Sequence, residues 1–394
     1  MRAETLASVV LAALVLPVSA LPQTTRSSSG KAIYIITNDA KNAVVAVRIG
    51  RDGQLSRGTT TETGGAGGSG VDSATNQTAA PDSLFSQSSL TNIFAVNPGS
   101  NTVSMLSIDP RDPTKLSLVG TPATLPGEFP VTVAASVKNR LVCVGMTGAK
   151  AGVSCASFSA NGLGAMDGLR TFDLGQTTPP AGPLNTVSQV LFSSDESVLF
   201  ATVKGDPTVN NTGFLAAFPI NKACSGKGAS LAQQGTKSSP NGTAVLFGSS
   251  IIPGSSNLFV TDASFGGAVL AIDGQDVAST VGKGVIDGQG ATCWATVSPA
   301  TNTAFVSDVA VNRLVQMSLT DATPLGQIDL SSNGDPGLID LRAAGNFVYA
   351  LSPGNGTTSP AVTVVDAIGA RQVQHFQLQG LGVSKSAMGM AVLV

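Results

Sequence analysis

The sequence predicts an all-β fold: a seven-bladed β-propeller closed by its C-terminal strand pairing with the N-terminal blade. Three observations lead there: a hairpin that recurs seven times, a composition rich in turn formers, and a last apolar strand with no neighbour of its own. The hairpins open at 33–37, 93–97, 141–145, 199–203, 258–261, 304–308 and 348–352, and each is answered by an alternating run at 43–49, 102–108, 152–158, 214–220, 268–273, 313–319 and 361–367. A unit repeating every roughly 45 to 60 residues cannot bury its own apolar faces and must stack on its neighbours.

Six of these hairpins have an upstream partner, at 84–90, 131–137, 187–193, 244–251, 294–299 and 338–345. The first has none, whereas 388–394 ends the chain unpartnered, so the two ends are expected to share one blade and remove two open sheet edges. Outermost strands are readable at 118–125, 169–175, 322–330 and 372–379. The 45 Gly and 21 Pro among 394 residues favour tight turns over long helices. A closed repeat array counts as one domain, so residues 31–394 are expected to form a single propeller after a signal peptide at 1–20 and a short leader at 21–30.

Charged residues make up 12% of the chain and its net charge is -2, which disfavours a surface for nucleic acid or an anionic membrane. Arg2, the apolar stretch 6–16 and the small residues Val18-Ser19-Ala20 form a secretory signal, with Leu21 as the expected first mature residue. No later stretch reaches the roughly 20 apolar residues of a membrane span, so a secreted or cell-wall-associated monomer is expected. Acceptor sequons at Asn76, Asn210, Asn241 and Asn355 all fall in segments read as loops. Four cysteines allow three pairings. Cys143 and Cys155 lie nearly equidistant from the turn 147–150, which sets them opposite each other and predicts a disulfide. Cys224 follows the third strand of one blade and Cys293 opens the first strand two blades later; only the loop 221–240 would join them, and a second disulfide or two thiols both remain open.

The run Asn92-Ile93-Phe94-Ala95-Val96-Asn97-Pro98-Gly99-Ser100-Asn101-Thr102-Val103-Ser104 resembles a blade of the 6-phosphogluconolactonase-like propellers. Phe129-Pro130-Val131-Thr132-Val133 resembles that family's blade opening, and Leu191-Phe192-Ser193-Ser194-Asp195-Glu196 its acidic turn. Within the family, exported 3-carboxymuconate cyclase-like chains of filamentous fungi look nearest, over most of the chain after about Lys31. The resemblance implies lactone opening or closing at the central channel mouth by a histidine with carboxylate and arginine side chains. This chain departs from it where relatives carry histidine before the blade-opening proline, because Phe129 stands there; its only histidine, His375, falls on an outermost strand.

Other residues at the starts of innermost strands are therefore the candidates. Glu128 is the candidate acid or base, Trp294 an aromatic floor for a sugar or lactone, and Cys293 a nucleophile without a histidine base. Asp335 and Lys385 precede further innermost strands and are candidate binding residues. The glycine run 64–70 lacks the Lys-Ser or Lys-Thr of a phosphate loop, and with one histidine and unclustered cysteines no metal site or cofactor is expected, calcium on the axis being undecided. Two functions follow. One is a lactonase or cycloisomerase acting on a small lactone or sugar acid; the other is a non-catalytic adhesin or antigen, on a degenerate scaffold, that binds a cell-wall or host-surface component.

Overall fold

The computed structural model describes residues 30–91, 93–222 and 228–394. The segment read as a signal peptide, nearly all of the expected leader and Cys224 lie outside them. Seven antiparallel sheets follow one another, and their innermost strands pack side by side in a closed ring. Blade 1 runs inward from Leu55–Glu62 through Ala43–Ile49 and Ala32–Ile36 to Met388–Leu393. The middle strands of the rest are Phe94–Asn97 with Thr102–Ile108, Leu141–Met146 with Gly152–Ser159, Val198–Val203 with Phe214–Asn221, Leu258–Asp262 with Gly266–Ile272, Thr303–Asp308 with Arg313–Met317, and Phe347–Ser352 with Ala361–Asp366. These are the seven predicted hairpins.

Burial follows position in the blade. Ala32–Ile36, Leu141–Met146, Val187–Phe192 and Val198–Val203 are buried along their whole length, because inner strands are covered on both faces. The outer strand Ala278–Val285 alternates buried with exposed, since one face meets water. Several turns use residues that tolerate a left-handed backbone, among them Asn38 (φ 55°), Asn101 (φ 53°) and Asn302 (φ 51°).

The two ends of the chain meet in blade 1. Met388–Leu393 pairs antiparallel with Ala32–Ile36, with Leu393 opposite Ala32 and Ala391 opposite Tyr34, and the Lys31 amide donates to the Leu393 carbonyl at 2.6 Å. In blade 3, Cys143 lies directly opposite Cys155 and the two are joined by a disulfide. It closes a loop with a sequence separation of 12 and links strands the hairpin already holds. Replacing both cysteines by alanine should cost about 2 kcal/mol, measured as a shift in denaturation midpoint.

Some strands differ from expectation. The stretch 118–125 divides into Leu116–Leu118 and Ala123–Thr124, and 169–175 contributes only Arg170–Thr171. Full outer strands at Leu55–Glu62 and Ala278–Val285 escaped prediction because Gly, Thr and Lys dilute their alternation. The largest departure is blade 2, where the expected innermost strand 84–90 pairs only at Leu90–Thr91.

The faces of the disc are distinguished by strand direction. Innermost strands begin at the top and reach the first hairpin turns at the bottom. A small sheet covers part of the top: Ala181–Gly182 runs parallel to Val71–Asp72, which pairs antiparallel with Gln77–Thr78. Asn76, Asn210, Asn241 and Asn355 are exposed and all lie in top-face loops.

Candidate functional site

The residues that should have formed the innermost strand of blade 2 cross the axis instead. Ser83, Leu84, Phe85, Ser86, Gln87, Ser88 and Ser89 are all buried, and Asp82, Phe85 and Ser88 have left-handed backbones (φ 41°, 54° and 62°) that turn the chain out of the sheet. Polar side chains and backbone groups inside a protein need partners, and the surrounding blades supply them. In blade 3, the Val131 carbonyl accepts from Ser86 Oγ and the Val133 amide donates to the Ser88 carbonyl, both at 2.8 Å. The Gln87 amide donates to the Ser188 carbonyl of blade 4 at 2.9 Å. In blade 6, Trp294 Nε1 donates to the Ser86 carbonyl at 3.0 Å, Gln87 Nε2 donates to the Ala295 carbonyl at 2.9 Å, and the Ala295 amide donates to Gln87 Oε1 at 3.1 Å. The segment is a plug built from the chain itself.

Blade 5 makes room for it. A Cβ on Gly248 would sit 2.1 Å from Gln87 Oε1 and 2.6 Å from the Cys293 carbonyl. Gly248→Ala should therefore destabilise by about 2 kcal/mol through overpacking, read as a lower denaturation midpoint.

Above the plug is a buried charge cluster. Lys204 is 1% exposed; its Nζ donates to the Phe85 carbonyl and, at 3.1 Å, to Ser188 Oγ, and lies 4.2 Å from the Phe247 ring centroid. Burial pushes Asp82 up to about 7, opposed by the Lys204 charge, and pushes Lys204 down to about 8. Asp82 Oδ1 is buried with no hydrogen-bond partner. Below them Asp340, fully buried, accepts from Arg342 Nη1 at 2.7 Å and from the Met390 amide at 2.8 Å; burial raises its pKa.

The sequence candidates are scattered around this axis. Glu128 stays near the surface at the top, accepting from Thr178 Oγ1 at 2.5 Å with Lys150 Nζ at 3.7 Å, so it ties two loops together. Trp294 has 0% exposure and stacks edge-on to Phe247, centroids 5.1 Å apart: it supports the plug and floors no open pocket. Cys293 keeps a free thiol, and burial raises its pKa well above the usual range, which suppresses the thiolate a nucleophile needs. Asp335 leaves the axis altogether and accepts from His375 Nε2 at 3.0 Å on the outer part of blade 7, while Lys385 is exposed. His375 does lie on an outermost strand, Arg371–Gln377. Among the described residues no group of three or more His, Cys, Asp or Glu side chains is placed to hold a metal.

Sequence reasoning missed the bottom mouth. There the plug ends in a cavity of about 400 Å³ whose polar lining includes Ser88, Gln189, Ser249, Ser250, Thr296 and Arg342. Its signals were present: serines at 86, 88 and 89 where an apolar strand was expected, and a glycine inside the innermost strand of blade 5.

This architecture defines a seven-bladed β-propeller, and solved structures share that fold. The periplasmic gluconolactonase PpgL of Pseudomonas aeruginosa superposes with a TM-score of 0.62 at 14% identity, over 92% of this chain and 99% of that one. A protein of unknown function from Desulfotomaculum acetoxidans matches with a TM-score of 0.61 at 10% identity, over 92% of this chain and 99% of its own. A Lactobacillus plantarum protein follows at 0.54 and 14% identity, over 71% and 79%. At such identities the likeness is one of fold alone. No family model matches the chain, and no curated protein is similar to it in sequence. Among the described residues no helix is long and apolar enough to cross a membrane.

Proposed function

We propose that this protein is an exported, non-catalytic binding protein on a lactonase-like propeller scaffold. The observation that carries this reading is the plug: where the resemblance places lactone chemistry, the chain spends the axis on Ser83 to Ser89 and bonds them to the surrounding blades. Glu128 is engaged by Thr178 and Lys150, and the one histidine is engaged by Asp335 on the outer part of blade 7. A general acid or base must reach its substrate, and neither side chain lines the polar cavity at the bottom mouth. Export agrees with the signal segment, the disulfide and four exposed sequons. The partner is a cell-wall or host-surface component, or a small sugar-acid ligand.

Assay of purified protein against a panel of γ- and δ-lactones should give no rate above that of buffer, and Glu128→Gln should change nothing. Lactone turnover abolished by Glu128→Gln or His375→Gln would overturn the proposal in favour of the 3-carboxymuconate cyclase or 6-phosphogluconolactonase-like activity.

A further inference from the structure

We infer that the bottom mouth of the axis is a ligand site for a small hydroxylated carboxylate, on the face opposite to the one where the resemblance places chemistry. This rests on the binding function proposed above and names its ligand.

The cavity of about 400 Å³ is within the range of small-molecule sites. Arg342 is the only charged side chain among the described residues that line it, and its guanidinium is held in place before any ligand arrives. Nη1 donates to Asp340 Oδ1 and to the Leu341 carbonyl, each at 2.7 Å, and Nη2 donates to Ser88 Oγ at 2.8 Å. Among the described residues nothing accepts from Nε or from the second Nη2 hydrogen, and the side chain is 18% exposed, so one planar edge remains for a carboxylate.

Hydroxyl recognition comes from the wall. Ser250 lines the cavity and is half-buried; its Oγ donates to the Ala295 carbonyl at 3.3 Å and keeps lone pairs to accept from a ligand hydroxyl. Gln189 is locked at both ends, Oε1 accepting from the Ser249 amide and Nε2 donating to Ser88 Oγ at 3.2 Å, which keeps the wall rigid. Leu191 and Ile251 supply an apolar side for a carbon skeleton. The sequons all lie on the top face, so glycans there would leave this mouth clear.

The test is isothermal titration calorimetry of the full secreted protein with D-glucuronate, D-gluconate, L-malate and citrate, and with methyl α-D-glucopyranoside as the uncharged match to glucuronate. At least one carboxylate should bind. The uncharged sugar should bind about tenfold more weakly or worse, because it lacks the charge-assisted contact to Arg342. Ser250→Ala should weaken binding about threefold to tenfold without lowering the denaturation midpoint, and Leu191→Trp should fill the mouth and abolish binding. Silence with every carboxylate, equal binding of the uncharged sugar, or binding that survives Leu191→Trp would each overturn the site. Silent titrations beside a silent lactone assay would remove only this site, whereas lactone turnover would remove the binding function itself.

Discussion

Asp340→Asn is expected to destabilise the protein by about 3–5 kcal/mol, the cost of leaving a buried charge without its partner. Asp340 Oδ1 accepts from the Leu341 amide at 2.8 Å, from Arg342 Nη1 at 2.7 Å and from Gln87 Nε2 at 3.3 Å. Oδ2 accepts from the Met390 amide at 2.8 Å and the Ser88 amide at 3.4 Å. One carboxylate thus fastens the innermost strand of blade 7 to the plug and to the C-terminal strand of blade 1. Asparagine keeps the shape and tolerates the left-handed backbone (φ 50°), but either orientation of its amide turns an NH₂ toward groups that are themselves donors. The substitution therefore isolates the loss of the carboxylate. Trp294, the sole tryptophan, bonds to Ser86 of the plug, so its emission should shift to the red in the variant as water reaches the indole. An unchanged midpoint in denaturant, followed by Trp294 fluorescence and circular dichroism, would show that the plug is held by other means.

The ring was legible because its signal is redundant. Each blade repeats a buried run, a turn and a second run, so Phe94–Asn97 and Ala361–Asp366 are recognised from their neighbours as much as from themselves. The Cys143–Cys155 disulfide was legible because turn length sets hairpin register, and register decides which residues face each other. The plug was not legible. It occupies the sequence position of an innermost strand, and the alternative depends on long-range partners: Gln87 bonds to Ala295, separated by 208 residues. Asp335 shows the same limit in reverse. Its position before an innermost strand suggested the channel, but the connection crosses blade 7 and delivers the carboxylate to His375. Periodicity reports the repeated part of a blade, and the connections, where the departures lie, carry no period.

The pH dependence of stability should expose the cluster above the plug, with a trough near pH 7–8. Asp82 titrates near 3.8 when unfolded and at about 7 when folded, because burial disfavours its charge. Between those values the folded state binds more protons than the unfolded, so stability falls as pH rises from about 4 to about 7. Lys204 has the opposite sign: burial lowers it from 10.5 to about 8, so above pH 8 the unfolded state binds more protons and stability recovers. The acid limb should amount to something on the order of 4 kcal/mol, the attraction of Lys204 already being part of the Asp82 shift. Asp340, also raised by burial, adds to the same limb, so Asp82→Asn should shrink that limb without erasing it. The same substitution should also deepen the depression of Lys204 by removing the carboxylate that helps hold its proton, which widens the alkaline limb downward in pH. A wild-type protein whose denaturation midpoint rises steadily from pH 5 to pH 8 would mean that Asp82 reaches water and that the axis is open from above.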